Sequence, residues 1–93
     1  MTCLLVGQVI VKNDTLWKQY VNGVSKSLEP FNALILFRGQ KSQVLAGENP
    51  TDLIVTISFE IREEIDVWFN SDLYQKLIPL RDEAADVIIT TYV

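Results

Sequence analysis

Residues 3–11 read Cys-Leu-Leu-Val-Gly-Gln-Val-Ile-Val. Aliphatic and β-branched side chains dominate the run, and these favour an extended backbone. Odd and even positions are apolar alike, with Gln8 the one polar side chain. A strand with one wet face alternates in polarity, whereas a strand that is apolar on both faces is covered on both. The run is also far too short to cross a bilayer. The fold must therefore hold this strand inside a sheet and put something on each side of it.

Working outward, Asn13-Asp14 supplies a turn and a helix N-cap, because a short carboxylate accepts from the free amides of a first turn. Trp17, Tyr20, Val21, Val24 and Leu28 then recur at spacings of three and four, which predicts a helix over about 15–28 with one buried stripe. Gly23 weakens it slightly, and Pro30 ends it. Ala33–Phe37 reads as a second strand leading into Arg38-Gly39. Residues 40–46 read as its polar extension or as a short hairpin arm, and Gly47-Glu48-Asn49-Pro50 breaks the chain. In 53–59, Leu53, Val55, Ile57 and Phe59 alternate with Ile54, Thr56 and Ser58, the mark of a third strand.

Ile61, Ile65, Trp68 and Phe69 form a second helical stripe. Ser71 caps a further helical segment in which Pro79 predicts a kink or two pieces. Residues 87–93 close the chain as a β-branched strand. The order β-α-β-β-α-β, with an extra helical piece before the last strand, predicts an α+β ferredoxin-like fold: a four-stranded antiparallel sheet with its helices on one face. The expected organisation is one domain over residues 1–93.

That topology leaves one sheet face without helices, and the face is not polar. The first strand presents apolar residues whichever way it points. The others offer Ile54, Thr56 and Ser58; Ile88, Thr90 and Tyr92; and, on strict alternation, Leu34, Leu36 and Arg38. So apolar a surface needs cover. A second copy packed sheet to sheet would supply it, so the expected partner is a homodimer mate. Space left over, either between sheet and helices or inside the dimer barrel, would be a semi-apolar cavity for a small organic ligand.

Composition narrows the chemistry. Hydrophobic residues make up 48% of the 93, more than a domain of this size hides easily. With no histidine there is no Ser-His-Asp or Cys-His pair, and no His-ligated zinc or haem site. One cysteine forms neither an internal disulfide nor a thiolate cluster. Neither a metal nor a cofactor is expected. Residues 60–93 hold eight acidic and three basic side chains, and no basic stripe exists, so nucleic acid is not an expected partner. The opening Met1–Val6 lacks the basic start of a signal peptide. With no membrane segment and a single thiol, the expected location is the cytoplasm.

Arg38-Gly39, Gly47, Ser58-Phe59, Trp68-Phe69, Ser71, Tyr74, Leu80-Arg81 and Ala84-Ala85 together resemble a small bacterial family, domain of unknown function family 1330, of the dimeric α/β-barrel superfamily. The resemblance spans nearly the whole chain, and Trp68-Phe69-x-Ser71-x-x-Tyr74 followed by Leu80-Arg81 is its most specific part. It implies a ferredoxin-like fold whose subunits pair their sheets into a barrel. Superfamily relatives include cofactor-free monooxygenases of aromatic compounds, lactone isomerases and haem-binding enzymes. The haem binders rely on a histidine that this chain lacks. Two further departures are Asn32-Ala33 in place of a glycine pair and Glu60-Ile61 in place of Pro-Ser.

Among candidate site residues, Arg38 comes first, because a guanidinium fork at a strand end suits a carboxylate or phenolate. Its competing role is a surface or dimer ion pair. Tyr74 and Arg81 lie two helical turns apart and, with Trp68, form a candidate pocket wall. Their competing role is to lock the C-terminal segment down, with Arg81 paired to Glu64 or Asp82. Ser58 and Tyr92, with Thr56 and Thr90, are candidate hydrogen-bonding groups on the sheet. Trp17 and Tyr20 are core candidates before they are ligand contacts. Cys3 has no cation in its segment to activate it as a nucleophile. Two functional readings follow. One is a homodimer with a semi-apolar small-molecule pocket, extending to a cofactor-independent enzyme of monooxygenase or isomerase type. The alternative is a non-catalytic structural or regulatory dimerisation domain without a ligand.

Overall fold

The computed structural model describes residues 2–93. Strand β1 (Cys3–Val11) runs into helix α1 (Asp14–Leu28), followed by β2 (Ala33–Gln40) and β3 (Leu53–Phe59). Three short helices come next: α2 (Glu63–Phe69), α3 (Asp72–Gln75) and α4 (Ile78–Ala84). Strand β4 (Ala85–Tyr92) closes the chain. The sheet order is β2-β3-β1-β4, every pair antiparallel, as in a ferredoxin-like fold. The doubly apolar β1 takes a central position. Its odd residues Cys3, Leu5 and Val9 are buried beneath the helices, while Leu4, Val6 and Ile10 are half-buried on the helix-free side.

Local signals explain most boundaries. The cap of α1 is the amide oxygen of Asn13, which accepts from the Leu16 N–H at 3.0 Å, and not a carboxylate. Asp14 instead sits in the first turn, where its charge meets the positive end of the helix dipole. Ser71 caps α3 by accepting from the Tyr74 N–H. Pro79 splits the C-terminal helical region into α3 and α4 and stands in the first turn of α4, where its missing N–H leaves no bond unmade.

Three expectations are corrected. Ile61 lies ahead of α2 and is exposed, because the helix starts at Glu63; Ile65 and Trp68 alone carry its buried stripe. Residues 41–46 form no hairpin arm. They pass irregularly to Gly47, whose φ of 78° is the left-handed value that glycine tolerates. The last strand begins at Ala85, its start tied by the Lys12 and Asn13 amides donating to the Ala84 carbonyl.

The largest departure lies in β2. Leu34 pairs with Ser58 and Ile35 with Ile57, but Phe37 pairs with Thr56 and Arg38 with Val55. Two steps on β2 match one step on β3, so Leu36 is the extra residue of a β-bulge. Side chains alternate strictly along a strand, so one extra residue reverses the faces of everything after it. Arg38 therefore shares the helix side with Val55 instead of the open side with Leu34, as strict alternation had put it.

The core is built from Phe59, Trp68 and Tyr74, each at most 1% exposed, with Leu5, Tyr20, Leu28 and Ile57 around them. Tilted aromatic pairs hold its centre, Trp68 and Tyr74 at 4.4 Å between centroids. Gly23 lets α1 approach the α3–α4 junction: a Cβ there would collide with the Leu77 side chain.

Candidate functional site

A cavity of about 640 Å³ lies between α1 and the helix-facing side of the sheet. Leu5, Gly7 and Val9 of β1 and Val55 and Ile57 of β3 line its sheet side. Val87 and Ile89 extend that side onto β4, and Trp17, Tyr20, Val21 and Val24 of α1 lie opposite, with Trp68 also reaching the cavity. Gly7 helps to keep the sheet side low, since a Cβ there would come within 2.9 Å of Val55 Cγ1. The polar lining is sparse: Lys18 and Asn22 from α1, Arg38 and Gln40 from β2, all of them exposed residues. Two lining residues are cationic and none is acidic, in a chain whose net charge is −4.

Next to Tyr20 stands a buried polar chain. Arg81 donates from Nη1 to the Tyr74 hydroxyl at 3.1 Å, and the Tyr74 and Tyr20 hydroxyls are 2.9 Å apart. Arg81 also donates from Nε to Asp82 Oδ1 at 3.1 Å. Burial, reinforced by the neighbouring Tyr74, pushes the Tyr20 hydroxyl well above the ordinary tyrosine range, so it stays protonated. Burial also works against the charge of Arg81, but the bonds to Tyr74 and Asp82 outweigh it and hold the guanidinium protonated.

The candidates thus separate into three groups. Arg38 and Trp68 meet at the cavity, together with Trp17 and Tyr20. Tyr74 and Arg81 are joined to each other and to Tyr20, so they stand behind the cavity's lining and tie α3 and α4 to α1. Of the two acids considered for Arg81, Asp82 is its partner. Ser58 and Tyr92, with Thr56 and Thr90, carry the alternation of the open sheet face, the far side from the cavity. Cys3 is buried and its thiol donates to the Tyr92 carbonyl at 3.1 Å. Among the described residues no three His, Cys, Asp or Glu side chains come together to hold a metal ion.

The sequence does not single out Lys18. A trace of it was present in the sequence: Lys18 and Asn22 are one turn apart and flank the apolar stripe of α1. The role of Gly7 left no trace, because it depends on which residue of β3 lies alongside.

A family model described as Domain of unknown function (DUF1330) matches residues 2–92. The chain belongs to the DUF1330 family. No curated protein sequence matches it. Among solved structures, this DUF1330 chain is similar to a protein of unknown function from Rhodopseudomonas palustris, with TM-score 0.82 and 12% identity, covering 98% of this chain and 80% of that one. A dimeric ferredoxin-like protein of unknown function from Thermobifida fusca gives TM-score 0.65 at 11% identity over 100% and 91% of the two chains. A cofactor-independent oxygenase from Streptomyces nogalater gives 0.69 at 4% identity over 99% and 91%. At such identities the likeness is one of fold. It bears out, for this DUF1330 chain, the ferredoxin-like architecture that the residues and the family resemblance imply.

Proposed function

We propose that this chain binds a small, largely apolar anion in the cavity beneath α1, as a homodimer paired through its open sheet face. The observation that carries the reading is the charge of the lining: Lys18 and Arg38 are its charged residues, in a largely apolar cavity that no acid lines, in an acidic protein. An apolar cavity with a few polar groups is the usual character of a small-molecule site. A guanidinium in its lining suits carboxylate or phenolate ends. Dimerisation is supported by the exposed apolar residues of the open face and by the dimeric ferredoxin-like neighbour. The fold shared with a cofactor-independent oxygenase supports reading the occupant as a substrate, and turnover without added cofactor separates an enzyme from a binder.

Calorimetric titration with 2-naphthoate tests the binding. The expected result is one site per chain, with Arg38→Ala weakening it by roughly ten- to hundredfold, the usual loss for a hydrogen bond to a charged group. Lys41→Ala, which removes a cation outside the cavity, leaves affinity unchanged. If 2-methylnaphthalene binds as well as the acid, or if neither binds, the reading fails and a ligand-free dimerisation domain takes its place.

A further inference from the structure

The buried chain Arg81–Tyr74–Tyr20 has a direction, and the direction says what the cavity offers its occupant. A guanidinium only donates, so the Tyr74 oxygen is an acceptor toward Arg81. Tyr74 is 0% exposed, and its own hydroxyl hydrogen has one acceptor at hand among the described residues, the Tyr20 oxygen at 2.9 Å. Were Tyr20 the donor of that bond, the Tyr74 hydrogen would be left unpaired in the core, which folded proteins avoid. The satisfied order is therefore Arg81 to Tyr74 to Tyr20. In that order the Tyr20 hydrogen has no partner on the chain among the described residues, and Tyr20 lines the cavity.

We infer that Tyr20 donates a hydrogen bond to the cavity's occupant, and that the occupant is an apolar carboxylate that also carries a carbonyl oxygen. The inference rests on the cavity being a ligand site, and deepens that reading from an apolar anion to an apolar keto acid or its close analogue. Arg38 and Lys18 answer the anionic end, and Tyr20 answers the carbonyl. Tyr74 and Arg81 are positioning residues: they touch no ligand, but they orient the Tyr20 hydrogen and polarise it through the cation at the far end of the chain. Such polarisation along successive hydrogen bonds strengthens the terminal donor. The chemistry at Tyr20 does not depend on ionisation, since burial keeps the hydroxyl protonated at neutral pH.

Two pairs of probes test this: 4-acetylbenzoate against 4-isopropylbenzoate, and 6-acetyl-2-naphthoate against 6-isopropyl-2-naphthoate. Within a pair the shape is kept and the carbonyl acceptor removed. The intact protein should prefer at least one acetyl probe by about three- to tenfold, the worth of one hydrogen bond. Its bound carbonyl stretch should move to lower wavenumber in the infrared. Tyr20→Phe should abolish both the preference and the shift. Arg81→Gln, with Tyr20 in place, should reduce the infrared shift. Equal affinities within both pairs, or an unshifted carbonyl in the intact protein, overturn the donor role and leave the anion site standing. A preference that survives Tyr20→Phe does the same. Failure of all four acids to bind overturns the cavity reading as well. The comparison within the intact protein decides the matter even if Tyr20→Phe does not fold.

Discussion

Ser27 is the most economical polar device in the core. It is 1% exposed, donates to the Val24 carbonyl at 2.7 Å and accepts from Trp68 Nε1 at 2.9 Å, so a helix-internal serine satisfies a buried indole. Ser27→Ala should cost about 1–3 kcal/mol, because the indole N–H is left without an acceptor in a place water does not reach. In a Trp68→Phe background the same change should cost much less, and urea denaturation of the four proteins of the cycle measures the difference. Equal costs in both backgrounds would show that the bond contributes nothing. Tyr20 makes a second prediction at this scale. Its folded form resists ionisation, whereas the unfolded chain ionises near the ordinary value of 10.0. Its contribution is present in full below that pH and is lost as pH rises beyond it, when only the unfolded chain sheds the proton. Melting temperature should fall above pH 10 more steeply in the intact protein than in Tyr20→Phe. Parallel curves would remove Tyr20 as the cause.

At the scale of the element, β2 shows how one residue can redirect a site. Leu36 bulges out of the pairing with β3, and everything beyond it changes sides. Exchanging the neighbours, Phe37→Arg with Arg38→Phe, keeps composition and charge but turns the guanidinium onto the open face. Affinity for 2-naphthoate should fall as far as it does in Arg38→Ala. Deleting Leu36 is predicted to have the opposite character: Phe37 and Arg38 keep their partners Thr56 and Val55, the ladder becomes regular, and binding survives. If deletion abolishes binding while the fold is intact by circular dichroism, the bulge shapes the site in some way beyond parity. The helices were more legible than this strand. Asn13, Ser71, Pro30 and Pro79 act locally, through backbone groups within a turn of themselves, and local chemistry can be read along a chain. A bulge is decided by the partner strand, and the alternation of Leu34, Leu36 and Arg38 points to the wrong face when that partner is unknown.

At the scale of the whole molecule, the fold is a thin object, 35 × 30 × 16 Å, close to one sheet and one layer of helices. The helix-free face carries Leu4, Val6, Ile10, Leu34, Phe37, Ile88 and Tyr92, of which Leu34 is 69% exposed. Val6 lies at its centre, between Thr56 of β3 and Thr90 of β4. We expect the protein to sediment as a dimer, and Val6→Lys to give a monomer with an unchanged helical signal, because a lysine pair at a twofold apolar contact buries like charges. A monomer in the intact protein at high micromolar concentration would remove the sheet-to-sheet reading. The cavity lies on the other side of the sheet, so Val6→Lys should leave affinity for 2-naphthoate within about twofold, if the site is complete in one chain.

By itself the amino-acid sequence determined the order of the elements, the ferredoxin-like fold, most helix ends and the apolar character of both sheet faces. Each of these follows from periodicity, capping and composition, which are properties of neighbours along the chain. Tertiary structure alone decided that Arg38 faces the helices, that Ser58 and Tyr92 face away from the cavity, and that Lys18 joins Arg38 at its lining. It also decided that Tyr20, Tyr74 and Arg81, spread over 62 residues, form one directed chain of hydrogen bonds. These depend on strand register and on the approach of α1 to α3 and α4. Both are set by contacts between residues far apart in sequence, where a shift of one position reverses the side on which a group acts.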